Sequence, residues 1–213
     1  MIRAIHRLDR ELPGPEVGDE ARALYGGCHA AAEPGDPDPT KPVAILFVGG
    51  YGGLGRHALL MMLRMFPDHF KGVVFVSIAV VDSDTFKGAG EVLELEKRTR
   101  ENLASYCTFG RALGLRTASA FAIGTEVAVE AEKLGVELHK LYPRALVVAG
   151  QIIFDEDTGW NRILHNETAF MIQRRLQHSG VPMIVLPVQL DLEPRVPRRP
   201  RSLRRQTADV DEE

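Results

Sequence analysis

Val43-Ala44-Ile45-Leu46-Phe47-Val48, followed by Gly49-Gly50-Tyr51-Gly52-Gly53-Leu54-Gly55, decides the fold class of this 213-residue chain. Six consecutive apolar residues make a run of strand length. An unbroken apolar strand, rather than an alternating one, is what a parallel sheet covered on both faces requires. The glycines then punctuate the chain. A helix is expected over residues 53–66, with Leu54, Leu59, Met62 and Leu63 on one side.

The same alternation continues downstream. Residues 73–81 form a second β-branched run. Residues 91–113 carry Val92, Leu95, Thr99, Leu103, Tyr106 and Leu113 at helical spacing, and Gly114 stands where a left-handed cap would end the helix. A third strand is expected over 116–123. A helix follows over 125–141, with Thr125 as N-cap. A fourth strand covers 145–150, a polar loop 151–161 and a fourth helix 161–178. Gly180 stops that helix, and the fifth strand covers 182–190. Five strands and four intervening helices give an α/β fold: an open, doubly wound, mostly parallel five-stranded sheet with helices on both faces. Such sheets bind ligands at the carboxyl ends of their strands, where the strand order reverses. The loops after Val48, Val81 and Gly150 are the candidate sites.

Composition divides the chain in three. Residues 1–41 hold a short amphipathic start and then a Pro- and Gly-rich linker, whose prolines exclude both helix and ladder. Residues 42–190 are the α/β domain. Residues 191–213 carry Pro194, Pro197 and Pro200, six arginines from Arg195 to Arg205, and an acidic end; this tail is expected to be disordered. A formal net charge of −3 gives no general reason to expect nucleic acid as a partner. Cys28 and Cys107 lie far apart, so a reducing compartment is the default. No apolar run is long enough to span a bilayer, and Met1 to Arg7 lacks the apolar core of a signal peptide. The chain as given reads as soluble and intracellular.

Gly50-Tyr51-Gly52-Gly53-Leu54-Gly55 fits G-x-G-x-x-G between a strand and a helix. Glycines there let the backbone approach a phosphate, whose charge the helix N-terminus favours. The acidic partner of a dinucleotide site is out of place: Asp82 lies 32 residues after Gly50, past the ~20 to ~25 expected. Three readings stay open, namely a dinucleotide, another anion or nucleotide, and a close strand-to-helix turn with no ligand. Gly49, Gly50, Tyr51, Gly52, Gly53, Gly55, Asp82 and Gly150 are the candidate ligand residues from the strand ends. Trp160, His165 and Asn166 are candidates from the loop after strand four; Trp160 packed on the sheet edge and Asn166 at the helix start is the plainer alternative. No GxSxG, HExxH, Walker A or CxxC occurs, and the histidines have no ligand-like spacing. The chain reads as a binding or regulatory module, with no catalytic residue and no metal ligand to name.

The strand and helix order resembles the universal stress protein fold, a Rossmann-like arrangement whose loop after strand four carries glycines for ATP. His165-Asn166 stands where that family has Gly followed by Ser or Thr. Asp155 and Ile152 stand at its other glycines, and Gly49 or Gly50 replaces its strand-one aspartate. The family's ATP ligands are therefore not carried over. Residues 48–55, 76–83, 86–89 and 164–169 are similar to the cytosolic C-terminal domain of bacterial permeases of the amino acid–polyamine–organocation superfamily. That resemblance covers about residues 41–188. It implies a non-catalytic regulatory domain at the cytoplasmic face of the inner membrane, with Met1 not the native start. Its partner would be the membrane-transport domain of the same polypeptide, with the arginine cluster near anionic lipid. It also implies a homodimer and a nucleotide, including a cyclic dinucleotide, as the candidate ligand. Two alternatives remain. One is a free-standing stress-protein-like nucleotide-binding protein that dimerises through Met183, Ile184, Val185 and Leu186. The other is an NAD(P)-dependent enzyme using the turn at 50–55.

Overall fold

The computed structural model describes residues 35–81, 89–153 and 159–189, with side chains for all of these except 89, 91, 152, 153, 159–167 and 189. Nine elements alternate: β1 (Val43–Phe47), α1 (Gly53–Met65), β2 (Gly72–Val80), α2 (Ala89–Ala112), β3 (Arg116–Gly124), α3 (Val127–Leu141), β4 (Ala145–Ile153), α4 (Gly159–His178) and β5 (Met183–Gln189). The five strands form one sheet in the order β3-β2-β1-β4-β5, and every pairing is parallel. The expected fold class is the observed one. From β1 the chain winds outward to β2 and β3, then crosses to the other side of β1 for β4 and β5. The strand order therefore reverses between β1 and β4.

The apolar run at β1 is continuous because β1 is central and covered on both faces. Ala44 and Leu46 join a core with Leu59, Phe75, Leu103 and Tyr106 under α1 and α2. Val43 and Ile45 join a second core with Val74, Val76, Leu138 and Leu176 under α3 and α4. Successive residues point to opposite faces, so one strand feeds both cores. Each fully buried side chain of this size contributes roughly 1.5–3 kcal/mol. α1 has no acidic residue in its first turn and no side-chain cap at Gly52. Burial of Ala58, Leu59, Leu60 and Met62 holds it instead.

Gly114 and Gly180 do end helices, at φ 84° and 75°. At the end of α2, Leu115 N–H donates to Gly110 O and Gly114 N–H to Arg111 O; Val181 and Gly180 repeat the pair on Leu176 O and Gln177 O. Both are Schellman motifs, for which glycine at the left-handed position is the natural residue.

Several boundaries differ from the sequence expectation, and three of them have a local cause or move a candidate residue. α3 opens at Val127 with Glu126 at the cap position, not Thr125. The reason is that Gly124 O still accepts Val81 N–H at 2.9 Å, so the ladder runs to the residue before Thr125. β4 extends to Ile153, where Gln151 pairs with Pro187 and Ile153 with Gln189. Gln151 is polar and by itself signals the start of a loop, but pairing with β5 overrides that local signal. α4 opens at Gly159, which places Trp160 in its first turn rather than on a loop, and Asn166 seven residues past its first residue rather than at the helix start.

Residues 35–41, read as the end of the linker, lie against the foot of the sheet. Pro37 is buried, and a Cβ on Gly72 would stand 2.6 Å from Pro37 Cβ. Arg144 donates to Thr40 O at 3.1 Å, and Asp38 accepts from Thr40 through both backbone and hydroxyl. Residues 1–34 and 190–213 lie outside the described residues, and with them the readings made of the leader and the tail. Among the described residues no helix is long and apolar enough to cross a membrane.

Candidate functional site

The sheet has a step at the point of strand reversal. Phe47, the last residue of β1, pairs with Val76 on β2 and Ala149 on β4. Both neighbours run on, β2 to Val80 and β4 to Ile153. Val48 N–H makes a further bond to Val76 O at 2.8 Å, and then the chain leaves the sheet. Gly49 and Gly50 follow directly beyond the end of β1; Gly49 is exposed and Gly50 half-buried. Ser77, buried, is the first β2 residue past the level of Phe47.

The rest of the glycine turn is closed from inside by a tyrosine. Tyr106 rises from α2 into the turn and is fully buried. Its hydroxyl donates to Gly50 O at 2.9 Å and accepts from Gly52 N–H at 3.3 Å. Its ring stacks on Phe75 with centroids 5.4 Å apart and meets Tyr51 edge-on at 4.9 Å. The Arg56 guanidinium lies 5.3 Å over the Tyr51 ring, and its Nε donates to Gly52 O at 3.3 Å. A Cβ on Gly55 would collide with the Tyr106 hydroxyl and stand 2.6 Å from its Cζ. Gly55 is a glycine because Tyr106 needs the space.

This arrangement sorts the candidates. None of the turn glycines sits in the left-handed region, since Gly35, Gly114 and Gly180 are the described glycines with positive φ. Gly52, Gly53 and Gly55 are buried, and the close approach of Tyr106 accounts for Gly55. Gly150 is not at a strand end. It lies inside β4, where a Cβ would be 2.9 Å from Ala58 Cβ and 3.5 Å from Leu54, so it lets α1 settle on the sheet. Gly49, Gly50 and Tyr51 come together at the step. Asp82 lies outside the described residues, as do the side chains of Trp160, His165 and Asn166. Sequence reasoning placed Tyr106 on an apolar helix stripe and missed its hydroxyl. The signal was available: a tyrosine on a buried stripe needs a partner for its O–H.

A cavity of about 530 Å³ lies elsewhere, along the outer edge of β3, between Cys107 on α2 and Leu138 on α3. None of the sequence candidates lines it.

No family model and no curated protein matches this chain. Solved structures of similar shape include a universal stress protein family member from Burkholderia pseudomallei, at 19% identity over 67% of this chain and 95% of that one, TM-score 0.45. Another is the hypothetical protein MJ0577, at 13% identity over 69% and 95%, TM-score 0.40. A third is HcgE from Methanothermobacter marburgensis with guanylylpyridinol and ATP bound, at 12% identity over 75% and 86%, TM-score 0.32. The fold assignment rests on the strand order described above, and no site residue is transferred from these proteins.

Proposed function

We propose that this chain is a non-catalytic regulatory domain that binds a nucleotide at the carboxyl end of β1. The observation that carries the reading is the step itself. β1 ends four residues short of β2 and β4 at the point of strand reversal, which is where open α/β sheets take their ligands. The groups around the step are suited to holding an anion rather than to chemistry. They are the backbone of Gly49 and Gly50, the side chain of Ser77, the ring of Tyr51 and the start of α1, whose positive end favours phosphate. Tyr106 fixes the turn without a ligand, so binding would not have to order it.

The wider reading rests on the sequence resemblance in residues 48–55, 76–83, 86–89 and 164–169. In that reading the domain belongs to an amino-acid-type permease and reports a nucleotide or cyclic dinucleotide to the membrane part. Genomic DNA upstream of the Met1 codon tests it: an in-frame region encoding repeated apolar spans of about 20 residues supports it, and an in-frame stop directly upstream removes it.

The ligand reading is tested by thermal shift with ATP, NADH and a cyclic dinucleotide. At least one is expected to raise the melting temperature, and Gly49→Asp is expected to abolish the rise. Gly49 is exposed and outside the left-handed region, so the change itself should alter stability by less than about 0.5 kcal/mol. No shift with any of the three, or an undiminished shift in Gly49→Asp, overturns the site.

A further inference from the structure

The two edges of the sheet are built differently. In β3, Arg116 N–H bonds Lys71 O, and Gly124 O accepts from Val81 N–H. Even-numbered residues therefore turn their backbone groups toward β2, and Thr117, Ser119, Phe121 and Ile123 turn theirs outward. No bond from a described residue reaches these outward groups. In β5, Val147 N–H bonds Pro182 O, so Met183, Val185 and Pro187 face outward. That edge is blunted twice. Pro187 has no N–H to offer, and Gln173 of α4 donates to Met183 O at 3.0 Å.

We propose that β3 is a self-pairing edge, through which two copies of this chain join antiparallel into one ten-stranded sheet. A two-fold axis at Ala120 sets Thr117 opposite Ile123 and Ser119 opposite Phe121, and each pair exchanges both of its outward bonds. The same register sets Arg116 opposite Gly124 of the second copy. Arg116 is exposed, and the Glu130 side chain lies directly over Gly124, 2.5 Å from where a Cβ would stand. Arg116 and Glu130 lie toward the same face, because Ala118 and Ala120 pack into the core under α3. Each copy thus brings a second cation to the other's Glu130, which Lys133 of its own chain already pairs at 2.9 Å, twice by symmetry. α3 adds to the match: exposed Glu126 stands at its N-cap and exposed Lys140 in its last turn, and neighbouring copies would run antiparallel. The groove of about 530 Å³ beside β3, with Leu141 at its rim 57% exposed, is the space the second copy fills. Pairing through Met183, Ile184, Val185 and Leu186 of β5 is the rival arrangement.

Sedimentation of the full chain over a range of concentrations tests this. A dimer that weakens with added salt is expected. Ser119→Pro removes one outward donor and no bond to β2, and should raise the dissociation constant by roughly a hundredfold. Arg116→Glu should also weaken the dimer, and Arg116→Glu with Glu130→Lys should restore it. If Ser119→Pro does not fold, the charge exchange decides alone. A monomer at every concentration, an unchanged dimer in Arg116→Glu, or a dimer that survives Ser119→Pro and is lost with Val185→Pro overturns the proposal.

Discussion

The two faces of the sheet hold their helices by opposite means. Under α1 and α2 the fastening is buried and neutral: Tyr106 passes between the helices, bonds Gly50 and Gly52, and occupies the space that Gly55 leaves open. Under α3 and α4 it is apolar below and ionic outside. Gly135 of α3 faces the end of the buried Leu176 on α4, while Glu132 accepts from Arg175 and Ser179 at 2.8 and 2.9 Å on the surface. Each face has a helix glycine at a close approach. What faces the glycine decides what it is worth.

The largest effect is expected at Gly55. Alanine in a helix gains about 1 kcal/mol over glycine. Here the new methyl would stand 2.6 Å from Tyr106 Cζ and 2.8 Å from Cε1, on a fully buried ring held at both ends. Overpacking of that kind costs typically 1–3 kcal/mol and occasionally more. A net loss of about 2 kcal/mol or more is therefore expected for Gly55→Ala by denaturant unfolding. Tyr106→Phe alone strands the carbonyl of Gly50 and the N–H of Gly52, a loss of about 1–3 kcal/mol. The double variant should be more stable than the sum of the two losses predicts, because removing the hydroxyl relieves the worst of the clash. Strict additivity would mean that Gly55 and Tyr106 do not share that space.

Gly135→Ala is the milder case. Its methyl meets one terminal carbon of Leu176 at 2.8 Å, and the next atoms lie at 3.6 and 3.8 Å. The end of a flexible side chain can shift by a few tenths of an ångström, and the helix gain of about 1 kcal/mol offsets the cost. Stability within about 1 kcal/mol of the parent is expected in the same unfolding measurement. A loss as large as that of Gly55→Ala would show that the core around Leu176 is as rigid as the ring of Tyr106.

This contrast also explains what could be read from the sequence. The strands were legible because a parallel sheet covered on both faces needs unbroken apolar runs, and Val43 to Val48 supplies one. The ends of α2 and α4 were legible because Gly114 and Gly180 act locally. Two things were not. Gln151 is polar but paired, so β4 extended past the apparent end of its apolar run. Tyr106 bonds a residue 56 positions away, and no local pattern carries that information. At the candidate site, G-x-G-x-x-G correctly marked the turn at the strand reversal. It could not show that its last glycine serves a tyrosine, or that Gly49 is the exposed one.

The smallest effect belongs to the ionic fastening on the α3 and α4 face, and pH reveals it. Ser179 first, and Arg175 second, hold the Glu132 carboxylate below its ordinary pKa of 4.5. A carboxyl whose folded pKa is depressed adds stability at pH values above its unfolded pKa. That contribution is lost as pH falls through the folded value. Glu132→Gln should therefore melt slightly below the parent at neutral pH, and the gap should close on acidification below 4.5. The buried fastening offers the control: Tyr106→Phe, which removes no carboxylate, should keep a constant gap to the parent across the same range. Melting curves of the three proteins from neutral to acid pH make the comparison. A gap for Glu132→Gln that stays constant would show that the clamp adds no pH-linked stability.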